Sequence, residues 1–465
     1  MTHLLDAALC ERLLSAALSR GGDYADIFAE RGVSRSLSYE EDQVKNATES
    51  SRAGVGIRVV VGERTGYAYC EDLDESALLA TARRAALIAS GVPARTARLA
   101  ELVGVPSRYG NKRPMDDVGV AERVELLRRA SRRASAADAR VSWVSCSLVD
   151  SRSRVTIATS DGVLVSDDRP MLRCNVQVIA TSDGRRENGS TGGGGRVGLE
   201  YFSTRSPEAL ADEAVRLAVT LFDARECPAG RMPVVLAPAT SGILIHEAVG
   251  HGLEADFNRK GVSAYSNKVG ELVASPLVTV VDDGGVIGDR GAVNVDDEGV
   301  IPGSTTLIEK GVLRGYLNDR LSARLMGVAP TGNGRREGYA KMPIPRMRVT
   351  YLAAGADDPG DILRSVKRGI YAVNFGGGSV DISKGDFNFN VTEAWLIEDG
   401  KLTAPLRGAT LVGNGPEVLR RVSRVGHDLR LSDGMWTCGK DGQGCPVGQG
   451  LPTTLVDEMT VGGRA

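Results

Sequence analysis

Apolar residues recur at helical spacing over residues 4–20, at Leu4, Leu5, Ala8, Leu13, Leu14 and Leu18, and the run stops at Gly21 and Gly22. This predicts an amphipathic helix with a glycine stop. Short strand-like runs follow at 24–29, 36–39 and 55–61, the last continuing as a hairpin with its turn at Gly62 to Gly66. Asp74, Glu75 and Ser76 open a second helix, expected through about residue 90, with Ala and Leu on one face and Arg83 and Arg84 on the other. Helix, strands and helix make an α+β unit, residues 1–110. The stretch 91–118 is rich in Pro, Arg and Gly without a sustained period and reads as a connector.

The same order of elements recurs in residues 111–226. A helix over 120–137 precedes strands near 141–149, 155–159, 163–166 and 171–180, and a helix over 206–223 closes the unit. The run Thr191-Gly192-Gly193-Gly194-Gly195-Arg196 has no following Gly-Lys-Ser/Thr and opens no helix, so a glycine-rich strand edge or turn is expected there rather than a phosphate loop. Cys227-Pro228-Ala229-Gly230 marks a boundary. Beyond it, residues 227–465 are strand-rich and punctuated by glycine, with a strand at 232–237, short helices near 317–325 and 359–367, and half-buried strands at 346–352, 387–397 and 410–412.

Composition narrows the class. A chain of 465 residues buries a large core without disulfides. Its 57 basic and 59 acidic residues leave a net charge of -2, which gives no reason to expect a nucleic-acid partner. Aromatics at 5% also argue against a base-stacking surface. The 57 glycines exceed the usual level of about 7% and are dispersed, as turns and bulges in a strand-rich protein require. Seven cysteines, an odd number spread from Cys10 to Cys445, suit reduced thiols in a cytoplasmic protein. The opening residues lack the pattern of an export signal and no apolar run reaches membrane-spanning length, so neither export nor membrane insertion is expected.

The chemistry concentrates in I-L-I-H-E-A-V-G-H-G-L-E-A-D, residues 243–256, which holds two of the four histidines with a glutamate directly after the first. Neutral imidazoles are good zinc ligands, and a carboxylate beside the metal serves as general base for a metal-activated water. His246 and His251 are candidate ligands and Glu247 the candidate base. The histidines are five apart rather than four, which at about 100° per residue sets them roughly 140° apart on a regular helix. A π-bulge or distorted turn is therefore expected, eased by Gly250 and Gly252. By residue type the third ligand is open among Glu254, Asp256, His427, Cys438 and Cys445.

Four motifs in order give the chain a resemblance to a known family: H-E-A-V-G-H-G-L-E-A-D at 246–256, M-G-V-A-P-T-G-N-G-R-R-E at 326–337, the G-G-G-S-V-D…G-D-F-N-F run at 376–389, and C-G-K-D-G-Q-G at 438–444. Over essentially its whole length it resembles the TldD/PmbA peptidases, in their zinc-bearing TldD branch. The resemblance implies an N-terminal α+β part and a strand-rich, barrel-like C-terminal part that carries a Zn2+ ion on an irregular helix, with Cys438 as third ligand. It implies hydrolysis of unfolded peptides, including precursors of modified peptide natural products and labile antitoxins. It also implies a homodimer or a heterodimer with a TldE/PmbA-like paralogue that lacks the zinc motif. An amidohydrolase acting on small amides and a non-catalytic scaffold subunit are the alternatives, the second opposed by the retained Glu247. Arg335, Arg336 and Glu337 are expected either to position a substrate carbonyl or carboxylate or to form a structural ion pair at an interface. Asp381 and Asp386 are expected in turns, and Cys445 as a packing residue.

Overall fold

The computed structural model describes residues 3–89 and 96–463. The expected end of the second helix at residue 90 and the start of the connector, 91–95, lie outside the described residues. Helices form at Ala7–Ala17, Glu75–Ala85, Val120–Ala137 and Pro207–Thr220, inside or matching the predicted spans. The strands are longer than the apolar pattern predicts. Residues 24–29 and 36–39 belong to one strand, β1 (Tyr24–Glu40), which is followed by β2 (Gln43–Val61) and β3 (Arg64–Cys70). The runs at 141–149 and 155–159 likewise merge into β4 (Val141–Thr159), and those at 163–166 and 171–180 into β5 (Val163–Ser182). The apparent breaks are charged residues that pair with partners instead of turning. Glu30 in β1 accepts from Arg52 in β2 at 2.6 Å, and Asp150 in β4 is buried against Arg123.

These strands form one antiparallel sheet in the order β3-β2-β1-β4-β5, so the two helix-strand-helix stretches share a single layer. Its outer edge pairs with the glycine-rich β6 (Arg185–Gly195), a strand edge as expected. The connector adds a short parallel strand at Ala100–Glu101. Successive side chains of a strand point to opposite faces. Ile27 and Ala158 therefore pack under the first two helices, while Phe28 and Ile157, directly paired in register, meet Val295 and Tyr339 of the C-terminal part.

The C-terminal part contains a closed barrel. The strand β7 (Gly230–Leu236) pairs with β8 (Arg368–Asp381), β8 with β9 (Asp386–Glu398), β9 with β10 (Thr410–Asn414), β10 with β11 (Thr454–Gly462), and β11 with β7. Closure removes the free edges that an open sheet would leave. Phe375, Phe389, Leu411 and Val461 share one apolar cluster with Ile243, Leu244 and Val249, so the histidine segment is seated on the barrel's core. Asp381 and Asp386, expected in turns, are instead the paired end residues of β8 and β9 that flank the turn, and Asp381 accepts from the backbone of Ser383 within it. Among the described residues no helix is long and apolar enough to cross a membrane.

Buried charge locks the two parts together. Arg58 of β2 donates to Asp26 of β1 and to Glu298 of the C-terminal part at 2.6 Å each, with all three side chains almost wholly inaccessible. Arg336 reaches the same Asp26 at 3.3 Å and donates to Asp297 O at 2.9 Å. Arg336 is thus an interface ion pair, the second of its two expected roles. Removing one partner of a buried pair strands the other, at a cost of about 3–5 kcal/mol. Arg58→Ala is expected to lower the free energy of unfolding in urea by about that amount, and a change below about 1 kcal/mol, the range of an exposed pair, would contradict the proposed locking role.

Candidate metal centre

The histidine segment is irregular, as its spacing demands. A short α-helix at Ile243–Ile245 gives way to one π-helical turn at His246–Gly250, then a 3₁₀ turn at His251–Leu253 and a helix at Ala255–Arg259. The wider turn returns His251 to the side of His246, and the ring centroids stand 5.1 Å apart. Gly250 and Gly252 do not serve the turn through unusual dihedrals, since Gly250 has helical φ -56 and ψ -52. They serve by lacking a side chain: a Cβ on Gly250 would fall 1.9 Å from Met347 Sδ, and one on Gly252 2.7 Å from Tyr265.

A distant hairpin, Thr437–Lys440 with Gln443–Pro446, brings the third donor. Its two-residue turn holds Asp441 and Gly442 at φ 50 and 64, the left-handed pair a tight hairpin needs. Alternation along the strand places Cys438 and Lys440 on the same, buried face. Cys438 Sγ lies 3.2 Å from His251 Nε2, and the donor atoms of His246, His251 and Cys438 all fall within 4.8 Å of one another. Tetrahedral zinc with bonds of about 2.0–2.3 Å sets its ligands roughly 3–4 Å apart, and two imidazoles with a thiolate are a suitable donor set. His246 Nδ1 is buried without a hydrogen-bond partner. Glu247 Oε2 stands 3.8 Å from His251 Nε2, with its side chain still partly open to solvent.

The surrounding charges hold these groups in place. His251 Nδ1 is 3.0 Å from Glu254 Oε2. Burial pushes Glu254 up, but Lys440 and His251 outweigh it and hold the carboxyl at about 2. The ionised carboxylate can only accept, so Nδ1 carries the proton and Nε2 is the nitrogen presented to Cys438. Lys440 Nζ reaches Glu254 at 3.1 Å and Asp256 at 2.7 Å, and lies 4.3 Å from the Phe257 ring centroid. Burial drives the Cys438 thiol up, yet the two imidazoles outweigh it and leave the group well below the ordinary thiol value. His251 is also opposed by burial, and Glu254 and Cys438 raise it well above its usual value.

The remaining candidate ligands take other places. Glu254 and Asp256 stand behind the centre, the first orienting His251 and the second holding Lys440. Cys445 faces Cys438 across the hairpin and accepts from Arg346 Nη1 at 3.3 Å. His427 is exposed and lies 4.0 Å from Asp358, outside the cluster. Lys440 and Arg346 are the residues that sequence reasoning passed over. Arg346, fully buried, donates to Cys438 O and Gln443 O and so braces both strands of the hairpin. Lys440 was detectable from its place two residues beyond Cys438 in a strand, whereas Arg346 sits in an alternating run with nothing to mark it.

Comparison with known proteins points the same way. Profiles of the PmbA/TldA metallopeptidase domain 1, central domain and C-terminal domain match residues 25–89, 113–222 and 229–463. A metalloprotease TldD homolog of Haemophilus influenzae is 44% identical over 96% of this chain and 94% of its own. One from Buchnera aphidicola is 41% identical over 97% and 95%. The crystal structure of TldE from Thermococcus kodakarensis superposes with a TM-score of 0.76 at 20% identity, covering 98% of this chain and 100% of that one.

The thiol environments generate a direct test. Burial pushes Cys10, Cys146 and Cys174 up to about 12, so these stay protonated near neutrality. Thiolate absorbance near 240 nm in metal-free protein at neutral pH is expected to drop by one thiolate in Cys438→Ser. An unchanged spectrum would show that the imidazoles do not ionise this sulfur.

Proposed function

The chain belongs to the PmbA/TldD metallopeptidase family, and on that premise we propose that it is a zinc-dependent peptidase that hydrolyses extended, unfolded peptides. The observation that carries this reading is the convergence of His246, His251 and Cys438 on one buried point with Glu247 beside it. These three side chains would hold the ion. Bound there, zinc would supply Lewis acidity that makes a water molecule easier to deprotonate and a carbonyl easier to attack. Glu247 would take the proton from the attacking water and return it to the departing amine. Glu254 would keep His251 in the orientation that offers Nε2, and Lys440 would keep Glu254 ionised.

The hairpin offers the peptide an edge. Gly444 N–H points outward to Glu337 Oε2 at 3.3 Å, so its register partner Gly439 also turns its backbone groups away from the hairpin. Gly439 is exposed, and nothing stands within 4 Å of where its Cβ would be. An extended peptide would add there as a further strand, through main-chain hydrogen bonds that read little side-chain identity. Dependence on extended conformation fits unfolded chains and peptide precursors as substrates. The shared fold with TldE supports a paired assembly, with a second copy or a TldE-like paralogue. Seven free thiols fit a reducing compartment, the cytoplasm.

With an unfolded polypeptide as substrate, Glu247→Ala is expected to lose about 100-fold or more in kcat while retaining one zinc per chain. Full activity with zinc still bound would remove Glu247 from the chemistry. Gly439→Pro, which deletes the outward N–H, is expected to raise KM with zinc content unchanged; an unaltered KM would place the peptide elsewhere.

A further inference from the structure

A cavity of about 350 Å³ lies between the N-terminal sheet and the hairpin that carries Cys438, lined by seven arginines and three carboxylates. Three of the arginines are neutralised. Arg52 pairs with Glu30, Arg169 with Asp297, and Arg336 with Asp26. The other four, Arg173, Arg196, Arg290 and Arg335, form no ion pair among the described residues. Glu337, the third lining carboxylate, is exposed and is held by Gly444 N–H. Asp289, whose charge is felt by Arg196, Arg290 and Arg335 without an ion pair among the described residues, is pushed up to about 6 by burial and accepts from Gly291 N–H at 2.8 Å.

Four guanidinium groups gathered largely away from solvent, with one nearby carboxylate, Asp289, and no ion pair, repel one another and are costly to hold. Arg290 shows the strain. Burial, followed by its neighbours Arg173 and Arg196, lowers it to about 10, a large depression for a guanidinium. Arg196 is 5% exposed and its Nε has no hydrogen-bond partner. A fold that assembles such a group needs an anion to complete it, and planar guanidiniums match the two oxygens of a carboxylate.

The cluster is also fastened to the proposed peptide track. Arg290 donates to Trp436 O at 3.0 Å and to Thr437 Oγ1 at 3.1 Å, immediately before Cys438. Arg335 donates to Pro446 O at 2.7 Å, immediately after Cys445. An anion bound here is held at the open end of the hairpin, a residue or two along the strand from Cys438.

We propose that this cavity is an anion subsite that takes a carboxylate of the peptide, either its free C-terminus or an acidic side chain, and so selects substrates carrying one a few residues from the bond cut. The inference rests on the peptidase reading for the identity of its ligand, and a binding measurement separates the two. Metal-free protein is titrated with dansyl-labelled hexa-alanine bearing a free or an amidated C-terminus, and with the amidated peptide carrying one internal glutamate or glutamine. At least one carboxylate peptide is expected to bind ten-fold or more tightly than its neutral counterpart, and the pair that shows the difference identifies which carboxylate is read. Arg173→Gln, at a side chain with no hydrogen bond or ion pair among the described residues, is expected to abolish that preference without lowering the melting temperature; Arg290→Gln is the second variant. Equal affinity for charged and neutral peptides in the unaltered protein would overturn the subsite, as would a preference that survives in both variants. A preference that is present while the zinc-loaded chain cleaves none of these peptides or an unfolded polypeptide would leave the subsite standing and overturn the peptidase reading.

Discussion

The salt bridge between Lys440 and Glu254 joins the two segments that build the centre, and it decides how they meet. Glu254 lies just beyond the irregular turn that carries both histidines, and Lys440 lies two residues past Cys438 on a hairpin nearly two hundred positions later. Both charges are buried, so losing either would leave the other with only its second partner, Asp256 for Lys440 and His251 for Glu254. A slip of one residue in the hairpin would turn Lys440 to the opposite face and Cys438 with it. The ion pair therefore works as a registration device: the position that satisfies the ammonium is the position that delivers the sulfur. The same carboxylate fixes the tautomer of His251, so one buried acid sets both the thiol's register and the imidazole's presentation.

Arginine does the equivalent work on the larger scale. Arg346 braces both strands of the hairpin, Arg348 is buried against Asp282 at 2.7 Å, and Arg58 and Arg336 converge on Asp26 across the boundary between the N-terminal sheet and the C-terminal part. These are charges in places where an ordinary core would use apolar side chains. Each is matched by a carboxylate or by backbone carbonyls, which makes docking specific to one relative arrangement. Against that background Arg173, Arg196, Arg290 and Arg335 are distinctive because none of them forms an ion pair among the described residues.

Much of this was readable from the sequence where a local rule applied. The five-residue histidine spacing could not be met by a straight helix, and a π turn is what forms. Helix 120–137 was legible to its ends because Leu126, Leu127, Ala130 and Ala134 keep helical spacing on its buried face, even though Arg123 and Ser131 share that face. Strand lengths were not, because Glu30 and Asp150 interrupt the alternation and their partners, Arg52 and Arg123, lie 22 and 27 positions away. The single sheet shared by the two N-terminal stretches was hidden for a related reason: pairing of residues 26–40 with 145–159 leaves no trace in either strand alone. At the centre, residue type left five candidates for the third donor, and family resemblance singled out Cys438. The two supporting cations were overlooked because a buried lysine or arginine looks like a surface one until its acid is seen in space.

The claim on which the account turns is that two imidazoles and one sulfur of this chain hold the same ion. X-ray absorption at the zinc K-edge of the zinc-loaded protein tests it most directly. The account predicts one sulfur scatterer at about 2.3 Å together with two imidazole nitrogens at about 2.0–2.1 Å, the sulfur being lost in Cys438→Ser. A first shell of nitrogen and oxygen alone in the unaltered protein would contradict it.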